Sequence, residues 1–279
     1  KPLYVIGKIC SGWRLEIRRV HAANIVWFRI GNASDAHDDA GGNRGMVVIH
    51  GWKSAPIGRS RLLKSIASLS KKLIAETGIN LSDISVIIHG GVYRRNFRVE
   101  PAFATHVQDA LAIKCTPMTQ DSQHCFSFDI SDGSCSPYVV LDAAKHMLKI
   151  KPGGYCLITL GDERPNPQSK WPYNPLSCVM IVSLDGDGPR LVDSQYDLRG
   201  FDESTCVNMT YDDKKAKNVI GAHAVVKPST DTADSHFVGE INWLSGRHMH
   251  EFLSQYSPGT TNTHQIIDQS GKTVTATWE

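Results

Sequence analysis

Runs of β-branched and aliphatic residues alternate along this chain with segments whose apolar residues recur at helical spacing. From Arg59 to Thr77, the residues Leu62, Leu63, Ile66, Leu69, Leu73 and Ile74 keep a helical period, and Gly78 ends the run. Asn80 to Asp83 then turns into Ile84 to His89, a strand apolar on both sides, as expected where helices cover both faces of a sheet. Glu100 to Ile113 predicts a second helix, Cys125 to Ile130 a strand, Pro137 to Leu148 a helix and Tyr155 to Leu160 another buried strand. With Leu3 to Ile9 as a first short strand, the order is β-α-β-α-β-α-β, which predicts an α/β layered fold around a central sheet.

At 279 residues and 41% hydrophobic, the chain can bury a full core as one unit or as two intimately packed halves. Thirty basic and 28 acidic residues give a formal net charge of +2, too small a field to expect a nucleic-acid or membrane partner. Seven cysteines, at 10, 115, 125, 135, 156, 178 and 206, form no CxxC pair, so neither a disulfide framework nor a zinc ribbon is expected. The start Lys-Pro-Leu-Tyr-Val-Ile-Gly is not signal-like and no 18-residue apolar stretch occurs, so the expectation is a cytoplasmic protein.

After Pro165 the pattern changes. Cys178 to Leu184 and Pro189 to Asp193 flank Asp185-Gly186-Asp187-Gly188, which reads as a hairpin turn because Asp-Gly supplies positive φ. A calcium loop there lacks the remaining acidic ligands. Asn32 to Gly45 and about 197 to 240 are polar, loop-like stretches, the latter carrying Lys214, Lys215 and Lys217. Ile241 to Leu244, a helix His248 to Tyr256, and strands Gln265 to Asp268 and Thr273 to Trp278 complete the chain.

Phe128-Asp129-Ile130, a turn Ser131 to Cys135 and the helix after it form a strand, an elbow and a helix. Together with Leu62 to Gly91, Tyr155 to Gly161, Ile241-Asn242-Trp243 and a terminal strand pair around Gly271, this order resembles the β-ketoacyl-ACP synthases of type III, condensing enzymes of the thiolase superfamily. The resemblance implies a thiolase-like α-β-α-β-α fold from two pseudo-symmetric halves: 1–184, with the elbow, and 185–279, a shortened second half. It implies neither a cofactor nor a metal.

Family members place a catalytic Cys three small residues after Phe-Asp-(Ile/Val), and activate it with a His and an Asn from the second half. Counted from Phe128, the nucleophile position falls on Ser134, and Cys135 arrives one residue late. One residue on a helix is about 100° of rotation. Counted from Trp243, the His position falls on Arg247, with His248 one residue late, and a guanidinium cannot act as a base near neutral pH. Only 18 residues separate Arg247 from Ile266, too few for the family's Asn motif and its helices, although Asn262 and His264-Gln265 look like remnants.

The length, the Ser at the nucleophile position, the Asn-Trp pair and the compressed C-terminal half are similar to the short, non-catalytic subunit of heterodimeric 2-alkyl-4-quinolone synthases. That resemblance implies an acyltransferase complex of secondary metabolism. A full-length ketoacyl synthase III-like partner would carry the Cys-His-Asn site and bind the fatty-acyl thioester, in a heterodimer or a dimer of heterodimers. The segment Arg94 to Phe103 with strand Cys125 to Ile130 would be the contact face. Two other readings stay open: an autonomous acyltransferase using Cys135 or Ser134, with His248, His250 or His264 as base, and a homodimeric acyl-chain binding protein. His106, His124 and His146 read as core or surface histidines, and His248-Met249-His250 is a weak metal signal because residues two apart diverge on a helix.

Overall fold

The computed structural model describes residues 45–57, 61–94, 101–113, 125–164, 173, 175–201, 243–268 and 270–279 with side chains, and backbone strands within 6–31 and 208–238. Residues 1–44 and 45–279 are separate compact units. In the first, β1 (Ile6–Ile9), β2 (Trp13–Arg19) and β3 (Val26–Gly31) form an antiparallel meander, with Gly7 opposite Leu15 and Leu15 opposite Ile30. The expected strand at Leu3 is thus described from Ile6 onward, and all of the Asn32 to Gly45 stretch except Gly45 lies outside the described residues.

The second unit opens with β4 (Val47–Pro56) and α1 (Leu62–Thr77). Gly78, at φ 70°, ends α1 and donates its N–H to the Ile74 carbonyl, as a left-handed C-terminal glycine does. Then follow β5 (Ile84–Gly90), α2 (Phe103–Ala110), β6 (Phe126–Ile130), α3 (Ser136–Ile150), β7 (Tyr155–Leu160) and β8 (Leu176–Ser183). These strands lie in the order β6-β5-β7-β8-β4. β5 is parallel to both β6 and β7, and β8 is antiparallel to β7 and β4.

The second half is built on β9 (Arg190–Asp197), β12 (His236–Val238), α4 (Ser245–Gln255), β13 (Asn262–Ile267) and β14 (Thr273–Trp278). Its strands lie in the order β12-β13-β14-β9, with β14 antiparallel to β13 and β9. This repeats the β5-β7-β8-β4 part of the first half, and α4 precedes β13 as α3 precedes β7. β10 (Asn208–Asp212) and β11 (Lys215–Val219) pair with each other within the stretch read as polar and loop-like. Two register pairs, Val47 with Leu191 and Val48 with Arg190, join the halves into one nine-stranded sheet.

That junction corrects one expectation. The Asp185 to Gly188 turn does not close a hairpin, because β8 and β9 lie on opposite sides of β4, both antiparallel to it. The turn crosses the start of β4 instead. Gly188, at φ 143°, comes so close that an added Cβ would stand 2.2 Å from the Ile49 carbonyl oxygen. The positive φ was legible in the sequence. The partner of each strand was not, since a hairpin and a crossover can use the same turn residues.

Among the described residues the two larger apolar clusters lie one on each face of the first-half sheet. Leu62, Ile66, Leu69 and Leu73 of α1, with Phe103 and Val107 of α2, pack on Ile84, Ile87, Leu157, Val179 and Ile181. Tyr138, Leu141, Ala144 and Leu148 of α3, with Met249 and Phe252 of α4, pack between Val86, Ile88, Ile158 and Met180 on one side and Val274, Ala276 and Trp278 on the other. The central helices therefore sit inside a sheet folded around them. Trp243 and Leu244 precede α4 without forming the expected strand, whose residues 241 and 242 lie outside the described residues.

Candidate functional site

The elbow stands where β6 ends and α3 begins. Gly133 takes φ 58°, which reverses the chain, and Cys135 donates its N–H to the Asp132 carbonyl. Ser136 at the start of α3 accepts the Asp132 N–H through Oγ at 2.9 Å and donates to the Gly133 carbonyl at 2.9 Å. Pro137 follows in the first turn, where a missing N–H costs nothing. These local rules make a tight, rigid turn.

Ser134 and Cys135 are both buried. Ser134 Oγ donates to the Trp243 carbonyl at 2.9 Å, which ties the elbow to the start of α4. Cys135 is fully buried at the N-terminus of α3, and burial pushes its thiol well above its ordinary value of 9.0. Lys272 opposes that shift, while Asp268 and Asp132 add to it. The helix N-terminus alone would favour a thiolate. Here desolvation and two carboxylates outweigh it.

The turn between β13 and β14 supplies Asp268 and Lys272. Lys272 Nζ pairs with Asp132, and Asp268 accepts the Ser270 N–H at 2.6 Å and its hydroxyl. A Cβ on Gly133 would lie 2.1 Å from Asp268 Oδ2, so this carboxylate presses against the elbow backbone. Two acidic side chains thus flank the nucleophile position. An oxyanion forming there would meet carboxylates rather than aimed donors.

The second-half candidates diverge. Arg247 is the third residue of α4; its Nη2 is 2.5 Å from Glu251, and its guanidinium lies 5.7 Å from the Trp243 ring centre. His248 is fully buried, 5.6 Å from the Trp243 ring and 6.1 Å from that of His264. Burial lowers its pKa to about 3. His250 points elsewhere, its Nδ1 2.7 Å from Ser54 Oγ, as expected for residues two apart on a helix.

The apparent remnants have structural work. Asn262 closes the turn before β13, accepting the Ser257 N–H and donating to the carbonyls of Ser257 and Thr260. His264 Nδ1 lies 2.6 Å from the Tyr138 hydroxyl, and its ring stacks on Phe252 with centres 4.6 Å apart. Gln265 bonds Thr275 on the neighbouring strand at 3.3 Å. His106 and His146 are exposed, and His124 lies outside the described residues.

Sequence reasoning missed a second polar layer at the ends of β5, β6 and β7. Asp162 accepts the N–H groups of Val92 and Tyr93 at 2.6 and 2.7 Å and the Ser245 hydroxyl at 3.2 Å. Burial raises its pKa to about 6 despite these bonds. Asp129 accepts the first two N–H groups of α2 at 2.6 and 2.8 Å and pairs with Arg94 at 2.6 Å. An acid directly after a buried strand, as in Gly161-Asp162, was the available signal. Among the described strands β6 is the last at its edge of the sheet, and Phe126 on it is 54% exposed. Residues 95–100 of the expected contact face lie outside the described residues.

Among the described residues no group of three His, Cys, Asp or Glu could hold a metal ion, and no helix is long and apolar enough to cross a membrane. No protein-family model and no curated protein matches the sequence. Solved structures do resemble the fold. AbyA1, a tetronic acid condensing enzyme, superposes with a TM-score of 0.60 at 11% identity, over 83% of this chain and 99% of that one. An OleA variant from Xanthomonas campestris gives 0.56 at 11%, over 84% and 98%. The 3-oxoacyl-(acyl carrier protein) synthase III FabH from Xanthomonas oryzae pv. oryzae gives 0.55 at 11%, over 84% and 99%. The chain has the thiolase-like fold of ketoacyl synthase III-type condensing enzymes, as its sequence pattern predicted.

Proposed function

We propose that this chain is the non-catalytic subunit of a two-subunit acyl-thioester condensing enzyme, supporting a ketoacyl synthase III-like partner that carries the Cys-His-Asn site. The observation that carries the reading is the elbow itself. Its thiol is fully buried, held protonated by burial, and flanked by Asp132 and Asp268, while the neighbouring hydroxyl is committed to the Trp243 carbonyl. Arg247, which motif counting puts at the base position, is paired with Glu251. An attacking thiolate, a proton acceptor and an oxyanion donor set are each replaced by a group of the wrong charge or protonation state.

In this reading the partner's thiolate attacks the fatty-acyl thioester carbonyl and expels the carrier thiol. The acyl group then passes to a carbon or amine acceptor, giving an alkylquinolone-type or related product. This chain would contribute its edge strand β6 and the segment running from Arg94 to α2, anchored by the Arg94–Asp129 pair. Both halves, 1–184 and 185–279, would serve the assembly without chemistry of their own.

The test is intact mass spectrometry after incubation with octanoyl-CoA, alone and with a co-expressed full-length synthase encoded beside it. Acylation confined to the synthase supports the subunit role. A covalent octanoyl group on Cys135 or Ser134 would replace it with the autonomous acyltransferase.

A further inference from the structure

His248 is fully buried in the first turn of α4, the positive end of that helix, where an imidazolium is disfavoured by desolvation and by the helix dipole together. Neither of its ring nitrogens has a hydrogen-bond partner within normal geometry, and the Trp243 carbonyl only partly offsets the desolvation of the charged ring. That same carbonyl receives the Ser134 hydroxyl from the elbow. Two residues later, Ser245 bonds Asp162 and the Gly90 carbonyl. The start of α4 is thus one of the places where the two halves are fastened together.

The groups around His248 offer it no countercharge. From β13 comes His264, whose Nδ1 lies 2.6 Å from the Tyr138 hydroxyl, which also accepts the Trp278 Nε1–H at 3.2 Å. From the elbow and α3 come the uncharged Ser134, Cys135 and Tyr138, the latter two held protonated by burial. On α4 itself Arg247 and Glu251 are paired with each other, and His250 is bonded to Ser54. Asp162 is engaged by Ser245 and two backbone N–H groups.

We propose that His248 is an acid-operated latch: protonation of its imidazole drives it from its pocket and releases the N-terminal turn of α4 from the elbow and from β13. The released element is local, because α1 and α2 pack on the opposite face of the first-half sheet. Its consequence is loss of the Ser134 and Ser245 ties between the halves. The inference rests on the fold geometry and is independent of the proposed subunit role.

Hydrogen exchange by mass spectrometry on the full chain tests it, comparing residues 243–256 with residues 62–77 between pH 7 and pH 4.5 after correction for intrinsic rates. The expected result is a loss of protection in 243–256 at least about tenfold larger than in 62–77. His248→Phe, which keeps an aromatic ring against Trp243, should remove that difference. Equal loss in both segments, or an unchanged difference in the variant, overturns the latch. If the variant fails to fold, nitrogen NMR of labelled histidine in the unmodified chain decides: an imidazolium at His248 while 243–256 stays protected refutes the proposal, and a ring that takes up its proton only together with the loss of protection in 243–256 supports it.

Discussion

A cysteine at a helix N-terminus is ordinarily activated, yet Cys135 is the reverse, and the difference lies in what surrounds it. Full burial and the Asp132 and Asp268 carboxylates all oppose the thiolate, with Lys272 acting the other way. In the native state at pH 8, iodoacetamide should therefore label Cys135 no faster than the chain unfolds, as peptide mapping against urea concentration would show. Cys135→Ala should cost about 1–2 kcal/mol by urea denaturation, a cavity effect, and leave the activity of a reconstituted complex within about twofold. A loss of more than about 100-fold in that activity would contradict the non-catalytic role. Gly133→Ala should be worse than Cys135→Ala, costing about 2–4 kcal/mol. It strains a residue at φ 58° and drives a methyl group into Asp268.

Among the elements, β6 is the one left open. It is five residues long, pairs only with β5 among the described strands, and shows the Phe126 ring to solvent beside Phe128, 5.3 Å away. Exposed edges of this kind are templates for pairing with another chain. Phe126→Asp should leave the thermal midpoint of the isolated chain within a few degrees, because an exposed ring contributes little to the monomer. The same change should abolish co-purification with a partner synthase. Retained co-purification would remove β6 from the contact face. At the opposite extreme, α1 is a fully committed element: its apolar stripe and its Gly78 stop were both legible, because helical period and a left-handed glycine are local properties. Helix α2 is shorter than its sequence pattern suggested, Phe103–Ala110 rather than Glu100 to Ile113. Asp129 fixes its first turn, and that residue is 26 positions away in sequence from Phe103.

For the whole molecule, pH dependence follows from the buried ionisable groups. His89 and His248 have folded-state values of about 3, below the ordinary 6.5, so the unfolded chain binds more protons than the native one between these values. Stability then falls as pH drops through 6.5, by about 2–3 kcal/mol per imidazole at pH 4.5. Asp162 acts in the opposite direction, since its value is raised to about 6: the native state takes up its proton first, contributing about 2 kcal/mol of relative stability over the same interval. Asp132 and Asp142, also raised, add to that opposition. Urea titrations should show a net loss of at most about 3 kcal/mol from pH 7 to pH 4.5. His89→Phe should reduce it without touching α4. A stability that rises on acidification would mean the carboxyl groups dominate.

The sequence by itself determined the strand and helix alternation, the strand-elbow-helix around Ser134 and Cys135, the stop at Gly78, and the terminal strand pair. Each depends on residues within one or two turns of each other, where hydrophobic period and backbone conformation are decided locally. Counting along the motif, which requires no third dimension, also put Ser134 at the nucleophile position and Arg247 at the His position as expectations. Only the tertiary structure decided that β8 and β9 flank β4, that Asp268 and Lys272 reach the elbow from 140 residues away, and that Ser134 spends its hydroxyl on Trp243. Those contacts join residues far apart in sequence. What fixes them is packing of the two halves around α3 and α4, and the need of each buried polar group for a partner.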